Sequence, residues 1–349
     1  MKTGEIYRPT EIWHPELAGF EFGKAITTAR QAMNRKDPKQ LIQELKKAVR
    51  RSDNGIMYAV LTGKNDAEYS KTDALVLFNP FANTATANML VRTEFIREAA
   101  QKADIRDEQG KLKTVIMLAS PGFYRGSDIK LSKEEKQRVR NGDFGPTARE
   151  LLKTVAAKDF GRVALLGFSQ GADVAVAGAN VAYSENLDVN RLGIGDPATN
   201  QTRGPFELAL DFLKTGSSFQ RYIEASDLTP QKTAIGKSPL SPARNVDFVR
   251  FGLSSLLVPA NRDLWTGLRK DTLESELQHA VISGSIEKCV VGYGENSTIA
   301  TPHTMEPILQ RLQSQPNDNR LISIKVDGAT HAWGDQLPLL AKLYLRAIT

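Results

Sequence analysis

One serine stands between glycines placed two positions before it and two after it, in Gly167-Phe168-Ser169-Gln170-Gly171. Glycines at this spacing allow a chain to turn sharply from a strand into a helix, leaving a strained residue with its hydroxyl exposed between them. Such a hydroxyl is a candidate nucleophile, but it needs a base to take its proton and a carboxylate to orient that base. The chain has only four histidines. His14 lies in an N-terminal arm, His279 in a helical segment and His303 in a Thr-Pro-His-Thr stretch that reads as a loop. His331 follows the last apolar run, in Gly328-Ala329-Thr330-His331-Ala332-Trp333. A loop there could carry an imidazole over the end of a sheet, so His331 is the first candidate base and His303 the reserve.

The elements that must position these groups alternate along the chain. Apolar runs of strand length occur at 56–61, 74–78, 115–119, 163–166, 191–198, 288–291 and 321–326. Helical patterns fall between several of them, at about 84–102, 147–157 and 172–179, and a last helix covers about 337–348. The rhythm predicts an α/β fold, with a mostly parallel central sheet and helices on both faces. Residues 1 to 23 read as an irregular arm, and 24–51 as accessory helices, with Pro38 opening the second. From about 201 to 285 strand signals fade. Helical stretches at 205–213, 246–257 and 264–282, joined by Pro-, Ser- and Gly-rich turns, suggest an insertion over the C-terminal edge of the sheet.

Composition narrows the function classes. The 349 residues are 41% hydrophobic and 25% charged, with a formal net charge of +6. That excess is mild and accompanies no nucleic-acid-binding motif, so no nucleic acid partner is expected. Cys289, the single cysteine, excludes an intramolecular disulfide and sits in an apolar run as a core residue. No stretch has the length and apolarity of a membrane span, and the first residues lack a signal-peptide core, so a cytoplasmic location is expected. Cysteine pairs, H-E-x-x-H and phosphate-binding Gly-rich loops are missing from the sequence, which calls for no metal and no cofactor.

From about Ala74 onward the chain resembles the α/β-hydrolase superfamily. Pro121-Gly122-Phe123-Tyr124-Arg125-Gly126-Ser127-Asp128 resembles that family's Pro-Gly-x-Gly-x-Ser loop with one residue added, and Gly161 to Ala172 resembles its nucleophile elbow. Leu192 to Ala198 resembles the next strand, and Gly328 to Trp333 the histidine loop. The family order is serine, then acid, then histidine. Its acid follows the penultimate strand, often as Gly-x-x-Asp, where this chain reads Gly292-Tyr293-Gly294-Glu295-Asn296-Ser297. Glu295 is then one candidate acid. If Gly294 is the family glycine, the acid position holds Ser297, and Asp196 at the end of the preceding strand becomes the other candidate. The resemblance also implies an oxyanion hole built from the backbone N–H of Gln170 and one from the loop after 75–78. There the family's His-Gly is replaced by Asn79-Pro80, and because proline has no N–H the donor shifts to Phe81, with Ala82 next.

The function implied is a carboxylic ester hydrolase of esterase or lipase type, working on a small-molecule ester or acyl substrate through an acyl-enzyme. Within enzymes the same scaffold supports thioesterase, amidase or peptidase and cofactor-free peroxidase chemistry. From a different class comes a non-catalytic, hydrolase-like ligand-binding or scaffold protein. The expected organisation is an N-terminal arm with accessory helices at 1–54, a hydrolase core at 55–200 and 286–349, and a helical cap at 201–285.

Overall fold

A computed structural model describes residues 10–14, 21–63, 65–80, 86–120, 129–235, 259–283, 286–315 and 320–349. Among the described residues nine strands form one sheet: β1 (Glu11–Trp13), β2 (Val49–Arg51), β3 (Met57–Leu61), β4 (Tyr69–Phe78), β5 (Leu112–Leu118), β6 (Arg162–Phe168), β7 (Asp188–Gly195), β8 (Lys288–Gly294) and β9 (Leu321–Val326). Their order is β1-β9-β8-β7-β6-β4-β5-β3-β2. All neighbours run parallel except β3 with β5 and β2 with β3. The central strands read as near-continuous apolar runs because both faces are covered. Along β4, Ala74, Val76 and Phe78 pack into one core cluster while Leu75 and Leu77 pack into the other, the period-two alternation of a pleated strand.

The helices are α1 (Gly23–Asn34), α2 (Pro38–Lys47), α3 (Thr86–Lys102), α4 (Lys133–Arg140), α5 (Gly145–Ala156), α6 (Gln170–Val181), α7 (Pro205–Ala225), α8 (Thr229–Ile235), α9 (Pro259–Gly267), α10 (Leu273–Gln278), α11 (Pro302–Gln313) and α12 (Leu337–Ile348). Side chains of α1, α2, α3 and α12 fill the cluster on one face, and those of α5, α6, α9, α10 and α11 the cluster on the other. In α2, Asp37 caps the N-terminus by accepting from the Gln40 N–H, and Pro38 occupies the first turn, where its missing N–H costs nothing.

The N-terminal arm is not wholly irregular. Glu11–Trp13 adds to the sheet in parallel with β9, and Trp13 is buried. His303 also departs from expectation: Pro302 opens α11, and His303 lies exposed on that helix rather than in a loop. The helix expected at 246–257 lies outside the described residues.

The segment after β7 spans both faces. Leu208, near the start of α7, belongs to the cluster on the α6 face, whereas Tyr222, near its end, belongs to the opposite cluster with Leu228. Helix α7 therefore passes over the C-terminal edge of the sheet. No helix among the described residues is long and apolar enough to cross a membrane.

Candidate active site

Strand β6 delivers Ser169 to the C-terminal edge of the sheet, and α6 begins at the next residue. Ser169 has φ 54° and ψ −131°, a backbone conformation that costs a non-glycine residue about 1 to 3 kcal/mol. The flanking glycines are required by close approach. A Cβ on Gly167 would lie 2.1 Å from the Gly171 carbonyl oxygen, and one on Gly171 would lie 2.3 Å from the Phe78 carbonyl oxygen. The turn is pinned by Ser169 N–H donating to Gly195 O at 2.8 Å and Ala172 N–H donating to Ser169 O at 2.7 Å. As the first residue of α6, Gln170 has a backbone N–H without an intrahelical acceptor, at the positive end of the helix.

His331 opens a 3-10 turn, His331–Asp335, in the connection between β9 and α12. Its Nε2 is 2.9 Å from Ser169 Oγ, and its Nδ1 is 2.8 Å from Asp196 Oδ2. All three residues are buried, with Asp196 at 0% exposure. Two aromatic rings pack near the imidazole. Phe168 lies 5.5 Å away between centroids, and Phe212 of α7 meets the ring edge-on at 5.7 Å. Helix α7 also touches the loop through Tyr222, whose hydroxyl accepts from the Thr330 N–H at 2.7 Å.

Of the two candidate acids, the structure brings Asp196 to His331 and leaves Glu295 elsewhere. The Asp196 backbone is left-handed, at φ 47°, and its carboxylate is saturated. Oδ1 accepts from the Gly294 N–H at 2.7 Å and from Trp333 Nε1 at 3.1 Å, while Oδ2 accepts from Ser297 Oγ at 2.6 Å in addition to facing His331. Glu295 is exposed, and its Oε2 accepts from the Gly328 N–H at 2.8 Å, closing the turn after β9. In this geometry the carboxylate within hydrogen-bond distance of the imidazole is that of Asp196 and not that of Glu295. The Glu295 side chain stays on the exposed side of that turn.

A second buried carboxylate supports the same corner. Asp173, one turn into α6, accepts from the N–H groups of Ala198 and Thr199 at 3.0 and 3.1 Å and from Thr199 Oγ1 at 2.7 Å. Burial raises its pKa to about 6, partly offset by these hydrogen bonds and by Arg203. Asp335 closes the 3-10 turn and pairs with Arg92 of α3, whose Nη2 donates to Oδ1 at 2.5 Å. Burial raises the Asp335 pKa too.

The remaining expected positions divide plainly. His14 pairs with Asp327 at the surface, and His279 is exposed in a π-helical turn. Phe81, Ala82 and the Pro121–Asp128 loop lie outside the described residues. Among the described residues, no group of three His, Cys, Asp or Glu side chains could hold a metal ion. Sequence reasoning missed Trp333, Phe212 and Tyr222 as supports of the histidine and acid. Only Ser297 carried a signal, through its place at the family's acid position.

Neither a family model nor a curated protein matches the sequence. Solved structures do match by shape. An α/β-hydrolase enzyme from a Medee basin deep-sea metagenome library aligns with a TM-score of 0.50 at 12% identity, over 83% of this chain and 93% of that one. Carboxylesterases of the thaumarchaeon Nitrososphaera gargenis give 0.49 at 12% identity, over 82% and 92%. A thermophilic esterase of Thermogutta terrifontis gives 0.46 at 16% identity, over 86% and 97%. The chain has the α/β-hydrolase fold.

Proposed function

We propose that this chain is a serine hydrolase that cleaves a carboxylic ester through an acyl-enzyme. The observation that supports it is the unbroken relay from Ser169 Oγ to His331 Nε2 at 2.9 Å and from His331 Nδ1 to Asp196 Oδ2 at 2.8 Å, ending on the edge where ligands bind in open parallel sheets. Ser169 Oγ attacks the ester carbonyl carbon as its proton passes to His331 Nε2. Asp196 holds the ring in the tautomer that leaves Nε2 free to accept, and stabilises the imidazolium that forms. The Gln170 N–H receives the developing oxyanion together with a donor from the loop after Asn79, assigned to Phe81. Each such donor contributes about 3 to 4 kcal/mol in the transition state. Collapse of the tetrahedral species expels the alcohol, which takes the proton from His331. Water then attacks the acyl carbon with His331 as base, releasing the carboxylic acid and restoring the serine.

Residues 201–285 are assigned as the cap that shapes the substrate pocket. The path of α7 across the sheet edge, with Phe212 against His331, supports that role. Labelling with a serine-directed fluorophosphonate tests the mechanism. The folded wild-type chain is expected to take one adduct on Ser169 and the Ser169→Ala variant none. An adduct that survives the substitution, or none on the wild type, sinks the reading.

A further inference from the structure

Ser297 is buried, at 4% exposure, and its hydroxyl is fully committed. It accepts from the N–H groups of Ile299 at 3.2 Å and Ala300 at 3.0 Å. A serine hydroxyl has two acceptor lone pairs and one proton. With both lone pairs facing N–H donors, the proton has one remaining direction, Asp196 Oδ2 at 2.6 Å. That short distance is the one found for a hydroxyl donating to an ionised carboxylate. The oxygen it reaches is the same one that faces His331 Nδ1. The Ser297 backbone is fixed in turn, because its N–H donates to Gly294 O at 3.1 Å and the Gly294 N–H donates to the other Asp196 oxygen.

Resting on the hydrolase reading above, we infer that Ser297 is a positioning residue: its locked hydroxyl keeps the Asp196 carboxylate aimed at His331. Asp196 stands at the end of β7 and Ser297 just beyond β8, so the bond ties two adjacent strand ends across the site. The hydroxyl draws charge away from Oδ2, which moderates how strongly the carboxylate holds the proton on His331. Without it, the full charge of Oδ2 falls on the Nδ1–H side of His331. Removing the hydroxyl also leaves the two N–H donors of Ile299 and Ala300 without their acceptor, so the strand ends loosen.

The test compares wild type, Ser297→Ala, Ser297→Thr and Asp196→Asn, each checked for an unchanged fold by circular dichroism. The rate of fluorophosphonate labelling and the turnover of an aryl ester are measured from pH 5 to 9. Ser297→Ala is expected to lower kcat about tenfold with KM little changed, and to move the acidic limb of both profiles upward, whereas Ser297→Thr restores the wild-type limb. A Ser297→Ala profile superimposable on wild type overturns the assignment, as does a loss that Ser297→Thr fails to rescue. The low-field proton resonance of His331 Nδ1–H gives a readout that does not need catalysis. It is expected to shift in Ser297→Ala and to vanish in Asp196→Asn. If wild type takes no label, the hydrolase reading fails on its own, and a resonance unmoved in Ser297→Ala then rejects the role of Ser297 separately.

Discussion

Gly167 and Gly171 face each other across the Ser169 turn so closely that a Cβ on the first would meet the carbonyl oxygen of the second at 2.1 Å. Both contacts are with backbone, which cannot rotate aside as a side chain could. Gly167→Ala is therefore expected to cost about 3 kcal/mol of stability and to abolish labelling of Ser169. Thermal unfolding and fluorophosphonate labelling check the two effects together. A variant that remains as stable and as reactive as wild type would show that the turn is looser than described.

Asp196 and Glu295 make opposite predictions. Asp196→Asn leaves the fully buried amide able to keep the shape of the site but unable to hold the correct histidine tautomer, and kcat is expected to fall about 10,000-fold. Glu295→Gln only weakens a surface turn, so kcat should remain within about twofold of wild type. Steady-state kinetics on an aryl ester decide, and a larger loss for Glu295→Gln than for Asp196→Asn would reverse the assignment.

Asp173 makes stability depend on pH. Its folded pKa, about 6, lies above the ordinary value of 3.8, so folding favours the protonated carboxyl. That contribution is complete below about pH 3.8 and is lost as pH rises through 6, a total of about 3 kcal/mol. Urea unfolding from pH 4 to 8 is expected to show this decline in wild type, and the decline should flatten in Asp173→Asn. The same slope in both proteins would assign it to other groups.

Arg92 is the counterion of Asp335 beneath the histidine turn, and its Nε and Nη1 have no partner among the described residues. Asp335→Ala leaves that guanidinium buried and unpaired, at a cost of about 3 to 5 kcal/mol. Replacing both partners, Arg92→Met with Asp335→Leu, is expected to recover most of the loss. Denaturant midpoints of the single and double variants provide the check.

The sequence showed most clearly what is local. The elbow around Ser169, the buried runs of β4, β5 and β6, and the loop carrying His331 follow from side-chain periodicity and from glycine spacing within about ten residues. Position along the chain could not decide between Glu295 and Asp196, since both end strands on the same sheet edge. The choice depended on which side chain turns inward, and that is set by β7 and β8 lying side by side. Helix α4 leaves no apolar stripe to read because only Val139 of it is buried, although the capping box of Ser132 and Glu135 marks its start. Strand β1 was illegible for another reason. Three residues carry no periodicity, and their conformation is fixed by β9.

The pairing of β1 with β9 has a kinetic consequence. His14 and Asp327, which meet beside it, are separated by 313 positions, and Asp327 N–H donates to Trp13 O at 2.8 Å. During synthesis β1 must wait for nearly the whole chain before its neighbour exists, and closing so long a loop is a late, entropically costly event. The strand leading to His331 thus takes its outer edge from the far end of the chain, and that edge cannot close before β9 has been made.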